Sequence, residues 1–160
     1  MTRKEKALAR KVFKSTLPYG TIWLSNASGL GRRACTLPHP LHAGGYVIHI
    51  GPEIFRDATN ASVLAFNQRA DGVFIHELTH VWQGCHSRNP LDYIVDSLYH
   101  QISEGARAFD VNDADIGVLP WRKLRAEQQA SVVQAWFVRG MSKTAPAFKY
   151  IRDNIRTGTA

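Results

Sequence analysis

Five consecutive residues, His76-Glu77-Leu78-Thr79-His80, constrain this chain more than any other feature of it. On an α-helix, two histidines four positions apart stand one above the other, so both imidazoles project from one face toward a single point. A zinc ion at that point suits imidazole donors. Glu77 directly follows the first histidine, which lets its carboxylate approach a water on the ion without being obliged to bind the metal. That is an arrangement for activating water. Zn²⁺ lowers the pKa of bound water to about 7, and Glu77 takes the remaining proton and delivers it to a leaving amine. The flanks agree with a core helix: Val73, Phe74, Ile75 and Leu78 surround the motif, Asp71 reads as an N-cap, and Gly84 reads as a C-terminal stop. Burying two histidines and a glutamate with no ion between them would be costly.

A tetrahedral site open to water takes three protein ligands, and three residues compete to be the third. His86 lies six positions after His80, as in the HExxHxxGxxH pattern, and Met141 could then serve as the later Met-turn. The glycine, however, falls at Gly84, and Gln83 occupies the place where that pattern turns the chain. Glu104 precedes the small residues Gly105 and Ala106, which would let a second helix approach closely; its plainer role is a surface pair with Arg107. Glu127 opens Glu127-Gln128-Gln129-Ala130-Ser131 in a helix whose Leu124, Val132, Val133, Trp136 and Phe137 imply burial over much of its circumference. A carboxylate there wants a cation, and its plainer role is an exposed pair with Lys123. Spacing alone leaves the three open.

The rest of the chain reads as an α+β arrangement. Residues 3–14 form a basic amphipathic helix ended by Pro18 and Gly20, and residues 21–25 a strand followed by a glycine-punctuated loop. Residues 46–50 form a second strand stopped by Gly51-Pro52. After the motif helix, Asn89-Pro90 opens a helix from about 91 to 108, and Pro120 precedes another from Lys123 to Phe137. With 160 residues, 44% of them hydrophobic and 21% charged, the expectation is one globular domain over 1–160. No apolar run approaches the ~20 residues of a membrane span. The basic N-terminus lacks the apolar stretch of a secretory signal, so a cytoplasmic protein is expected, or one exported by a signal-independent machine. Two cysteines, Cys35 and Cys85, are too few for a disulfide framework. The net charge of +7 favours acidic partners, but the cations are scattered, which argues for a solvated surface rather than a nucleic-acid groove.

The run His-Glu-Leu-Thr-His-Val-Trp-Gln at 76–83, followed by Glu-Gln-Gln-Ala at 127–130 ahead of an aromatic-ended helix, resembles the zincin-like metallopeptidase domains found as Vgr- or Rhs-associated proteins of bacterial secretion systems. The likeness covers most of the chain, although only those two motifs are specific, and the chain departs from the pattern at Cys85-His86 and Glu104-Gly105. The resemblance implies a gluzincin-type fold, a small sheet packed on the HExxH helix with further helices around it. It implies that Zn²⁺ is held by His76, His80 and the Glu of the second motif, Glu127 here. It also implies a peptide or protein substrate and a secretion-system partner. Zincins add a Tyr or His donor for the developing oxyanion, for which Tyr99 and His100 are the first candidates, with Tyr93, Tyr46, His49 and Tyr150 behind them. They align substrate by β-addition to an edge strand, for which 46–50 is the candidate, with an interior strand as the equal alternative for that stretch.

The expectation is therefore a zinc metallopeptidase with Glu77 as general base and acid, in the setting of a bacterial effector. Two alternatives stand beside it. One is a zinc-stabilised binding module or inactive zincin, whose mark is a coordination shell closed by protein ligands. The other is a metal-dependent ribonuclease using His76, His80 and His86 at HxxxHxxxxxH spacing, against which Glu77 speaks.

Overall fold

Thr2 launches the first element by a reciprocal cap: its hydroxyl accepts the Glu5 amide at 3.2 Å while the Glu5 carboxylate accepts the Thr2 amide at 2.6 Å. In this computed structural model, which describes residues 1–29, 32–65, 67–87 and 116–160, helix α1 spans Arg3–Phe13. Ala9, Val12 and Phe13 are buried, while Arg3, Lys4, Arg10 and Lys11 face outward. The helix expected over 91–108, with Glu104, Tyr93, Tyr99 and His100, lies outside the described residues.

Three short strands follow, β1 (Ile22–Ser25), β2 (Cys35–Pro38) and β3 (Tyr46–His49), in the order β1-β3-β2. β3 runs parallel to β1 and antiparallel to β2. Of the two places open to the stretch 46–50, edge and interior, it takes the interior. Its backbone explains why: Tyr46 N–H and Ile50 N–H reach Thr21 and Ser25 carbonyls on one side, while Gly45 C=O accepts from His39 on the other. Burial of Tyr46 and Ile48 then pulls the strand under cover. β2 lies between the two strands read from the sequence; Pro38 is tolerated because its missing N–H lies on an outer edge, where it costs no ladder bond.

Gly51-Pro52 ends β3 as expected and also opens a helix, α2 (Gly51–Arg56), with Pro in its first turn and Gly51 at φ +77°. A short antiparallel pair, β4 (Leu64–Ala65) and β5 (Gln68–Arg69), leads straight into α3 (Ala70–His86). α3 is longer at both ends than the sequence suggests. Arg69, not Asp71, holds the cap position, because the Arg69 guanidinium takes the Asp71 carboxylate in a two-pronged pair at 2.6 and 3.0 Å. Gly84 does not stop the helix, and the final residue His86 is tied to the Thr16 carbonyl at 2.9 Å.

Every residue of α3 from Ala70 to Gly84 is buried, so this helix is the axis of the molecule. A 3-10 turn at Trp121–Lys123 precedes α4 (Ala126–Val138), which starts later than expected because Leu124 and Arg125 are extended. The chain closes with helical residues Phe148–Tyr150 running into a π turn, Ile151–Ile155. Trp82 Nε1 donates to the Ile155 carbonyl at 3.0 Å, and Arg156 donates to the Lys11 and Val12 carbonyls, joining the C-terminus to α3 and α1. Among the described residues the molecule is a mixed α+β fold, and no helix is long and apolar enough to cross a membrane.

α3 and α4 lie against one another where Gly72 offers no side chain: a Cβ there would stand 2.9 Å from Val138 Cγ2. Gly72→Leu therefore overpacks this contact and is expected to lower stability by about 1–3 kcal/mol. A urea melt reads the loss, and an unchanged midpoint would contradict the close approach.

Candidate metal centre

The helical repeat of α3 sets His76 and His80 on one face, with ring centroids 4.9 Å apart. Facing them is Glu127, the second residue of α4, a position where the positive end of the helix dipole favours a carboxylate. Each of its oxygens meets a different ring, with Oε2 3.2 Å from His76 Nε2 and Oε1 3.5 Å from His80 Nε2. All three residues are buried, and one ligand atom from each falls within 4.8 Å of the others. Metal–ligand bonds of ~2.0–2.1 Å in a tetrahedron put neighbouring donors about 3.3 Å apart, so two imidazole nitrogens and a carboxylate at these separations fit a divalent ion.

The far sides of both rings are held by amides. Gln134 Oε1 lies 3.0 Å from His76 Nδ1, and Gln83 Oε1 lies 2.8 Å from His80 Nδ1. The second contact has its direction dictated by the backbone. Gln129 Nε2 donates to the Trp121 and Leu124 carbonyls, so Gln129 Oε1 must accept from Gln83 Nε2, which also donates to the Ala126 carbonyl. Gln83 thus has only its oxygen left for His80, the ring donates from Nδ1, and Nε2 is presented to the centre. Gln134 is anchored in turn by donating to Gln68 Oε1 at 2.6 Å.

Glu77 points elsewhere: its Oε2 accepts from the Thr36 hydroxyl of β2 at 2.7 Å, and it is not one of the three clustered donors. It remains close enough for its charge to act on His80. Burial works against a charged His80, but the Glu127 carboxylate, its hydrogen bond, Glu77 and the Gln83 contact together raise the imidazole to about 9. Burial likewise opposes a charged Glu127, yet the two imidazoles hold it well below the ordinary carboxylate range. Cys35, beside Glu77, is pushed up to about 11 by burial and by that carboxylate, so it is a neutral thiol.

Of the competing third ligands, the structure brings Glu127 to the histidines. His86 is directed away, tilted against Trp82 and bonded to Thr16, so His76, His80 and His86 do not converge. Glu104, Tyr93, Tyr99 and His100 lie outside the described residues. Tyr46 is buried in the sheet, and the Tyr150 hydroxyl is engaged with Gly117 and Leu119 backbone. Sequence reasoning overlooked Thr36, Gln129 and Gln134 and gave Gln83 no role. Gln83 at three positions past His80 and Gln134 at seven past Glu127 share the helical faces of the ligands, which is the only signal that points to them.

Family models and curated proteins offer no match to the sequence. Among solved structures, the effector domain of Pseudomonas aeruginosa VgrG2b superposes with a TM-score of 0.62 at 22% identity, over 94% of this chain and 80% of that one. At this identity the likeness shows a shared fold.

Without metal, His80 contributes stability in full below its unfolded value of 6.5 and loses it as pH rises toward 9; Glu127 contributes above its unfolded 4.5 and loses it as acid titrates it. The pair therefore stabilises the metal-free chain most between about pH 4.5 and 6.5. Thermal melts of metal-free wild type and Glu127→Gln are expected to differ most in that window and to converge toward pH 9. A gap that widens from pH 6 to 9 would contradict the pairing.

Proposed function

We propose that the chain is a zinc-dependent peptidase of the zincin type, acting as an effector of a bacterial secretion system. The reading is carried by the separation of roles between carboxylates: Glu127 joins His76 and His80, while Glu77, one residue from a ligand, is held off the donor cluster by Thr36. A purely structural site has no use for an additional buried carboxylate beside it. With His86 directed away, the described residues supply three ligands, the number that leaves a position for water.

Bound zinc would supply Lewis-acid polarisation of the scissile carbonyl and a more acidic water. The remaining work falls to the protein. Glu77 accepts the proton of the attacking water and passes it to the leaving nitrogen, so one carboxylate serves as base and then as acid. Glu127, Gln83 and Gln134 keep both imidazoles in one orientation throughout.

Substrate alignment falls to β2 rather than to the stretch 46–50. In an antiparallel ladder alternate residues turn their peptide groups to the partner. His39 N–H meets Gly45 C=O, so Cys35 and Leu37 face β3, while Thr36 N–H, Thr36 C=O and Pro38 C=O face the other edge. No described strand pairs there. An extended peptide laid along that edge finds its main-chain partners at Thr36, next to Glu77. The likeness to the VgrG2b effector domain supports the effector setting, and with it export independent of an N-terminal signal.

Glu77→Gln is expected to keep about one equivalent of zinc and to lose peptide cleavage by about 10²–10⁴-fold. Glu127→Ala loses the metal, and His86→Ala keeps it. Elemental analysis and a peptide-library cleavage assay read these outcomes; undiminished cleavage by Glu77→Gln would overturn the mechanism.

A further inference from the structure

A glutamate side chain has three rotatable bonds, so a catalytic carboxylate that must meet a water at one spot needs something to aim it. Glu77 is 4% exposed, and among the described residues its hydrogen-bond partner from outside α3 is Thr36, itself 8% exposed. The hydroxyl lies 2.7 Å from Glu77 Oε2 and 3.1 Å from the Glu77 carbonyl oxygen, so it is seated against both ends of the same residue. A hydroxyl donating to a carboxylate is a strong, short bond. It commits Oε2 to the strand and leaves Oε1 as the oxygen for proton transfer.

We infer that Thr36 is the positioning residue of the base: its hydroxyl orients Glu77 for the water, and its backbone, on the outward-facing edge of β2, meets the substrate main chain. One residue thereby ties peptide engagement to the aim of the carboxylate 41 positions later in the chain. The catalytic half of this inference rests on the peptidase reading; the structural half, that Thr36 sets the orientation of Glu77, does not.

The test uses zinc-loaded wild type, Thr36→Val, which removes the hydroxyl at nearly constant shape, and Thr36→Ser, which restores it. Zinc affinity by chelator competition is expected to agree within about threefold across the set, since no ligand contact changes. Crystal structures are expected to show Glu77 in one orientation in wild type and Thr36→Ser and rotated in Thr36→Val. In a peptide assay Thr36→Val lowers kcat by about 10–100-fold with KM within about twofold, and Thr36→Ser recovers most of the loss.

An unchanged Glu77 orientation in Thr36→Val, or an unchanged kcat, overturns the inference. If Thr36→Val does not fold, Thr36→Ala is read the same way. Wild type without peptidase activity on any library defeats the peptidase reading, and the crystal structures still decide whether Thr36 aims Glu77.

Discussion

Two imidazoles and a carboxylate meet in a part of this protein where water is largely excluded, and most of the surrounding architecture is arranged to make that tolerable. A lone charge at such depth would carry a desolvation penalty of several kcal/mol. Here Glu127 lies against both Nε2 atoms, so the negative charge and the charge on His80 offset one another. The same contact binds the two longest helices of the described fold, α3 and α4, because the histidines belong to one and the carboxylate to the other. Packing and electrostatics point the same way: Gly72 lets the helices close to a separation at which the carboxylate reaches both rings.

Behind the donors stands a second layer made of amides. Carboxylates beside a ligand histidine would add further negative charge to a site that already holds Glu127 and Glu77; glutamines hold the rings without it. The relay from Trp121 and Leu124 carbonyls through Gln129 and Gln83 to His80 is directional, since carbonyls only accept. The turn before α4 thus governs which nitrogen of a histidine on α3 faces the centre. Gln83 serves both sides at once, touching His80 and the Ala126 carbonyl at the start of α4. A histidine of the candidate centre and the helix that brings Glu127 to it are therefore held by one side chain.

The sheet contributes through its edge. Placing β3 in the middle buries Tyr46 and Ile48 and leaves β2 outermost, with Thr36 toward α3. Pro38 fits this role, as its ring removes a donor from an edge and limits how far another strand can pair there. The effector domain of VgrG2b shares the fold at an identity too low to carry side-chain roles with it, so the roles of Thr36 and the glutamines rest on the contacts of this chain alone.

Local chemistry made part of this legible in advance. A period of 3.6 puts His76, Glu77 and His80 on neighbouring directions of one helix in any context that keeps the helix, and the apolar residues around them require that it be buried. Glu127 was visible as a candidate because the apolar residues around it imply a helix buried over much of its circumference. What a linear pattern does not contain is which distant groups meet. The contacts that complete the centre join residues 41, 51 and 58 positions apart, Thr36 to Glu77, His76 to Glu127 and His76 to Gln134. No periodicity relates such positions. Packing of α3 between the sheet and α4 set Glu127 against the histidines, turned His86 to Thr16, and made an edge strand of part of the segment between the two expected strands. Local rules act over a turn or a strand, whereas the choice of partners across a core depends on how all of its surfaces fit at once.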